Sequence, residues 1–473
     1  MRWPLPCSLL TVTAVRLAVA ANMPFSADEA YYRVWAHALA PGYLDHPPMV
    51  ALWIRAGTAL AGDTPLGIRL FGPLSALLGS LLLWRAGEDL RPGGSAGRRA
   101  AWLLNGTLLL NAGAVVMTPD TPLLLFWTAS LAALARLLRT GRAAWWFAAG
   151  AAAGLAFDSK YTAILLAPGV LVWLLAVPSL RPWLRRWEFW AAWALAVALA
   201  APVLVWNAAH GWVSFSRQGG RAGDWHPAGA WHFVPEFLAG QIGLATPLLA
   251  VLFVIGLWRF VRGGAWRAPA TGLLAATTLV PLAVLSQHAL GGRVQANWAA
   301  ILYPGLALAA ALTVEKFWRT AVSFGLAVSG VVYLQAVLAP FSLPRKLDFS
   351  LIRLAGWDGL ARDVEAARIA AGADCVAADE YGLAAELAYR LPGPVLGAEP
   401  RWALFDLPPA PAACATVLLV RSARRGVLPS DGIWLHPTQA GQVERVRAGK
   451  IAETYFMSRA AAPAGAVLLP PRG

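Results

Sequence analysis

The stretch RAGEDLRPGGSAGRR (85–99), AAWLLNGTLLLNAGAVVM (100–117) and TPDTP (118–122) decides the fold. Four arginines precede an almost uncharged apolar run, which ends in a tight turn carrying one carboxylate. A run of this length crosses a bilayer as a helix. The arginine-rich end marks the cytoplasmic side. The same alternation continues in both directions. Arg136–Arg142, Arg181–Arg186, Arg259–Arg267 and Lys316–Arg319 are basic loops. Between them lie loops of another kind, with carboxylates, histidines and isolated basic residues: Asp28-Glu29, Asp45-His46, Asp120, Asp158-Ser-Lys160, 217–232 and 293–298. Strict alternation of the two kinds predicts a chain with one cytoplasmic face and one face that holds a reaction site.

The apolar runs predict eleven spans: 3–22, 67–84, 100–117, 121–138, 143–157, 161–177, 188–206, 240–258, 269–288, 298–313 and 320–339. With the N-terminus inside, every basic loop falls inside and the C-terminus falls outside. Arg16 within the first apolar run argues for a retained span over a cleaved signal peptide. Outer loop 23–66 is long, and its apolar part at Met49–Leu60 is too short to span, so it reads as two helices along the membrane surface. The composition agrees: 58% hydrophobic, only 14% charged, mean hydropathy +0.56. Net charge is +14. Of the 24 Lys and Arg before Pro340, 16 lie at Arg2 or in the five basic loops, so the excess is an orientation signal and excludes a nucleic-acid partner.

The character changes near residue 340. The tail holds 15 of the 39 Lys and Arg and 13 of the 25 Asp and Glu. Residues 357–371 read as an amphipathic helix, Cys375–Ala378 as a strand, Tyr381–Arg390 as a helix and Val417–Val420 as a strand. The fold class is therefore mainly α: a polytopic membrane domain, 1–340, followed by a small α/β domain, 341–473. Cys375 and Cys414 suit either a disulfide or two free thiols.

The outer face carries the candidate chemistry. Ser26 with Glu29 three residues on makes a capping box, which places Asp28 and Glu29 at a helix start. Gly42-Tyr-Leu-Asp-His-Pro-Pro48 presents Asp45 and His46 on a proline-stiffened turn. Asp120 is either an N-cap or a functional acid. Lys160 beside Asp158 is either half of an ion pair or an anion site. Arg217, Arg221, His226 and His232, then Arg293, Gln295 and Asn297, suit phosphate or carboxylate binding, or lipid head-group contact. No phosphate-gripping glycine loop, CxxC, HExxH or GxSxG occurs. Carboxylates and cations gathered on one face suit a reaction between an anionic lipid-linked donor and a polar acceptor.

Asp28-Glu-Ala-Tyr-Tyr32, Gly42-Tyr-Leu-Asp-His-Pro-Pro-Met49, Arg69-Leu70, Pro119-Asp-Thr-Pro-Leu-Leu-Leu-Phe-Trp127, Lys160-Tyr161, Trp206-Asn207, His210-Gly-Trp212 and Asn297-Trp298 occur in this order. The series resembles the bacterial membrane glycosyltransferases related to protein O-mannosyltransferases and to the aminoarabinose-to-lipid A transferase, and within them the rhizobial-type lipopolysaccharide transferases. Gly356-Trp357, Ala378-Asp-Glu-Tyr381 and Ala384-Ala-Glu-Leu387 resemble their outer domain. The resemblance implies the GT-C fold in the inner membrane, a polyprenyl-phosphate sugar donor, a lipid A or other glycolipid acceptor, and a periplasmic active site and C-terminus. It implies catalytic roles for Asp28, Glu29 and Asp120. It implies donor or substrate contacts at Asp45, His46, Lys160, Tyr161, Arg221, Arg293 and Asn297. His46 stands where the aminoarabinose branch has Lys. No metal site or cofactor is assigned, although Asp28, Asp45 and Asp120 would suit a divalent cation if they met. The competing readings are a lipid-linked sugar flippase and a surface-polysaccharide ligase. A flippase would place its charges near the bilayer midplane.

Overall fold

The computed structural model describes residues 5–223, 225–262, 265–345, 347–429 and 433–473. Among them, seven helices are long and apolar enough to cross a membrane: Leu5–Asn22, Pro65–Leu90, Asp120–Thr140, Trp187–Ala209, Pro269–Ala289, Ala296–Thr313 and Trp318–Leu338. Counting two bent pairs as one span each gives nine. The other two expected spans are shorter pieces. Run 100–117 is broken into Ala96–Asn105 and Leu108–Val115, because Gly106 ends one helix and the Thr107 hydroxyl caps the next by accepting from Leu110 N–H at 3.2 Å. Run 143–157 is the 14-residue helix Ala144–Phe157.

One expectation needs correction. The uninterrupted span 240–258 is bent by 105° between Ala245 and Pro247. Thr246 adopts φ 72, and Pro247 has no N–H to continue the ladder. The long first outer loop does hold two helices, Ala27–His37 and Met49–Ala61, with a short third, Pro65–Arg69.

The chain forms two compact units that interleave in sequence. The first comprises 1–18, 41–50 and 71–331; the second comprises 19–40, 51–70 and 332–473. The tail expected to fold by itself thus shares a unit with most of the first outer loop. The core of the first unit is built on interhelical side chains such as Trp127, Trp173, Leu83 and Leu249. Arg16, conspicuous within an apolar helix, is 1% exposed and donates to the amide oxygens of Asn105 at 3.0 Å and Asn111 at 2.9 Å. That satisfies its charge inside the helix bundle.

The second unit contains a six-stranded sheet. Its strands are β1 (Cys375–Ala378), β2 (Val395–Gly397), β3 (Thr416–Ser422), β4 (Thr438–Arg447), β5 (Lys450–Ala461) and β6 (Val467–Leu468), in the order β4-β5-β3-β1-β2-β6. The central three are parallel and the outer pairings antiparallel. A disulfide joins Cys375 to Cys414. Helices Trp357–Ala370 and Tyr381–Arg390 pack in this unit, the latter against Ala27–His37. Two buried arginines hold the loop segments in place. Arg33 donates from Nε to both Asp63 oxygens at 2.8 and 2.9 Å, and from its Nη atoms to the Pro470 and Pro471 carbonyls. Arg69 pairs with Glu29 at 2.6 Å and donates to the carbonyls of Ala20, Met23 and Pro24.

Candidate active site

In the first unit, the turn 158–160 is the centre of a polar cluster. Helix Ala144–Phe157 ends there, and the Asp158 carbonyl accepts from Met49 N–H at 3.0 Å. This bond ties the turn to the His46-Pro-Pro48 segment. Lys160 reaches across to Asp120, at the start of helix Asp120–Thr140, and donates to both carboxylate oxygens at 2.7 and 2.8 Å. The two side chains are 7% and 13% exposed. Asn297 donates to Asp120 Oδ2 at 2.7 Å from the start of helix Ala296–Thr313, 177 residues away. The Asp120 charge also lies at a helix N-terminus, where the backbone dipole favours it. The immediate sequence neighbour of Lys160 behaves differently. Asp158 Oδ1 is buried with no hydrogen-bond partner among the described residues, and burial pushes its carboxyl up to about 7.

The glycine-to-proline motif is seated beside this turn. A Cβ on Gly42 would lie 2.7 Å from the Trp206 ring, so only glycine permits that approach. The Tyr43 carbonyl accepts from Ser214 Oγ at 2.7 Å, and the Asp45 carbonyl from Gln218 Nε2 at 2.8 Å. The Asp45 side chain pairs with Arg217, Nε to Oδ1 2.8 Å. His46 is half-buried on the same turn. Tyr161 packs its ring on Phe157 and Phe215, and its hydroxyl accepts from Asn207 Nδ2 at 3.4 Å. Residues 42–49, 120, 158–161, 207, 214–218 and 297 therefore form one connected set of contacts. An apolar cavity of about 210 Å³ is lined by Phe157 and Ala163, which flank the turn, and by Trp146, Gly154, Trp193 and Val197.

One expected phosphate contact does not join this set. Arg293 is 69% exposed and pairs with Glu236. The Arg221 side chain lies outside the described residues. Sequence reading underrated Arg217, which takes the Asp45 carboxylate. Among the described residues there is no group of three His, Cys, Asp or Glu arranged to hold a metal.

Asp28 and Glu29 belong to the second unit, and the capping box with Ser26 is present there. Glu29 is fully buried, and both its oxygens accept from Arg69, at 2.6 and 2.7 Å. A carboxylate so enclosed anchors the loop. Asp28 is exposed, and the hydroxyl of Tyr381 donates to its Oδ1 at 3.1 Å. Tyr381 entered the sequence reading only as part of an outer-domain likeness. Nothing in the sequence pairs it with a residue 353 positions earlier.

Residues 45–206 match the family model described as dolichyl-phosphate-mannose-protein mannosyltransferase. The lipid A galacturonosyltransferase RgtD of Rhizobium johnstonii is 28% identical over 376 residues, which are 78% of this chain and 78% of that protein. The fold is shared with ArnT from Cupriavidus metallidurans. Its structure bound to undecaprenyl phosphate superposes with a TM-score of 0.59 at 15% identity, over 97% of this chain and 98% of the other. Its apo structure gives 0.57 at 15% identity, over 96% and 97%. The resemblance read from the ordered motifs is borne out, and the fold is that of ArnT.

Proposed function

We propose that this protein is a membrane glycosyltransferase that moves a sugar from a polyprenyl-phosphate donor to lipid A or a related envelope glycolipid. One observation carries the reading. A turn bearing a cation held by a carboxylate adjoins an apolar cavity, and that combination suits an amphiphile with a phosphate head and a hydrocarbon tail. The names of the relatives support the two substrate classes: RgtD is a lipid A galacturonosyltransferase, and ArnT was captured with undecaprenyl phosphate.

The chemistry follows from charge. A polyprenyl phosphate is a good leaving group, so the protein's main task is to meet the negative charge that develops on it. Lys160 is suited to that task, with Arg221 and His46 as further donors. Asn297 and Asp120 fix the Lys160 ammonium until a phosphate competes for it. Asp28 accepts the proton of the acceptor hydroxyl as the sugar gains oxocarbenium character. A single displacement inverts the anomeric centre and requires no covalent intermediate. The catalytic face is periplasmic and the membrane is the inner one. The disulfide supports that orientation, because such a bond persists in an oxidising compartment.

Asp28→Asn tests the reading. The purified variant should insert and fold as the parent does and lose transfer from radiolabelled undecaprenyl-phosphate sugars to lipid A. An Asp28→Asn protein with full turnover removes Asp28 from the base role.

A further inference from the structure

Asp28 sits on the first turn of helix Ala27–His37, exposed to solvent. A general base must be aimed, and the elements that aim this one belong to the sheet. In the strand order, β1 lies between β2 and β3, so the chain leaves β1 toward one side and returns on the other. At such a crossover the segments following the carboxyl ends of the strands converge. Asp379-Glu380-Tyr381 follows β1, Glu399-Pro-Arg401 follows β2, and Arg421 to Arg425 end and follow β3. They lock together. Arg421 pairs with Asp379 at 2.9 Å, and Arg425 lies 3.4 to 3.6 Å from Asp379, Glu380 and Glu399. Arg401 pairs with Glu399 at 3.0 Å.

Tyr381 is the point this lattice holds. Its backbone N–H donates to the Glu399 carboxylate. Its ring lies under the Arg401 guanidinium at 4.0 Å and against the buried Tyr31 ring at 4.5 Å. The next residue is Gly382, where a Cβ would meet Ala27 Cβ at 2.8 Å. The missing side chain lets the two helix starts close up and brings the Tyr381 hydroxyl to Asp28. A phenol donates one hydrogen bond and an ionised carboxylate only accepts, so the pairing at 3.1 Å has a single sense.

We propose that Tyr381 is a positioning residue for the reaction: held by Arg401 and Glu399, its hydroxyl aims the Asp28 carboxylate at the acceptor. The proposal rests on the reading of Asp28 as base and makes the sheet domain a contributor to turnover. Tyr381 does not itself touch the sugar. Its hydroxyl acts on the orientation of the base, so it governs turnover and not donor affinity.

The test is Tyr381→Phe, which keeps the ring stack and removes one oxygen, measured in the full-length protein in detergent. Probes are radiolabelled undecaprenyl-phosphate galacturonate, or whichever undecaprenyl-phosphate sugar the parent turns over, and lipid A. We expect kcat to fall about tenfold, which corresponds to about 1.4 kcal/mol. The donor KM should stay within about twofold, with the thermal midpoint unchanged. Tyr381→Ala should lose at least as much. Asp28→Asn, run beside them, separates the two claims. If Asp28→Asn is inactive and Tyr381→Phe turns over like the parent, Tyr381 has no positioning role. A Tyr381→Phe protein with a lowered midpoint or a raised donor KM also overturns the proposal, since the ring would then serve packing or donor binding. An active Asp28→Asn protein removes the base and the positioning claim together.

Discussion

Replacing Lys160 by methionine keeps the length of the side chain and deletes its charge. The ammonium donates to both Asp120 oxygens at 2.7 and 2.8 Å, in a site where the two side chains are 7% and 13% exposed. Without it the Asp120 carboxylate keeps the Asn297 amide at 2.7 Å and loses its counter-charge. Breaking one side of a buried pair costs about 3–5 kcal/mol, a large part of the roughly 5–15 kcal/mol that holds a folded protein together. The apparent thermal midpoint of Lys160→Met should therefore drop by roughly 3–5 °C. Adding Asp120→Asn removes the stranded charge, and the double variant should regain most of that loss, because a buried pair replaced as a unit is often near neutral. Activity separates the two roles of Lys160. If the ammonium also holds the donor phosphate, the double variant loses a charged hydrogen bond of about 1.5–3 kcal/mol that the Asp120→Asn single variant keeps. Its kcat/KM for the donor should then lie about 10- to 100-fold below that of Asp120→Asn. The assay is transfer of radiolabelled sugar at varied donor concentration, with melting curves on the same preparations. Equal kcat/KM in the single and double variants would refute the donor role and leave Lys160 as a structural partner of Asp120.

Asp158 gives a pH prediction whose sign follows from its burial. Its carboxyl is raised to about 7 in the fold from an ordinary value of 3.8, so the folded state binds the proton more tightly. The associated stability is complete below the unfolded value and is lost as pH rises through about 7. Melting points between pH 5 and 8.5 should fall less steeply in Asp158→Asn than in the parent, and an unchanged slope would contradict the buried neutral acid. Removing the disulfide by Cys375→Ser with Cys414→Ser should cost the second unit about 2–4 kcal/mol. Limited proteolysis should then cut the region around β1 and β3 first, and equal resistance in both proteins would count against that contribution.

Much of the architecture was legible because hydropathy and charge act over contiguous residues. A bilayer-length apolar run with arginines at one end has few other ways to be satisfied. The departures come from local chemistry that averages out in such a reading. Gly106 with Thr107 splits one run, and Pro247 bends another. In the tail, Trp357–Ala370, β1, Tyr381–Arg390 and β3 were visible through their periodicity. The β4–β5 hairpin was not, because register shifts at Gln439/Gly441 and Arg445/Val446 interrupt its alternation. At the site, motif reading found the residues and missed their partners. Lys160 was read beside Asp158, its neighbour in sequence, whereas folding gives it Asp120. Asp28 and Glu29 looked like a matched pair. Helical geometry turns them to different sides, so one is buried on Arg69 while the other faces out beneath Tyr381.

The interleaving of the second unit has a consequence for how the protein is made. Helix Ala27–His37 emerges from the ribosome early, yet the helix it packs on ends at Arg390 and the carbonyls that receive Arg33 belong to Pro470 and Pro471. These segments must wait through synthesis and insertion of the intervening spans before they can close, and contacts of such long sequence separation form slowly. A ribosome that stalls before Tyr381 therefore leaves helix Ala27–His37 without the helix it packs on. The second unit can thus close only after most of the chain has been made, a dependence written into the order of its segments.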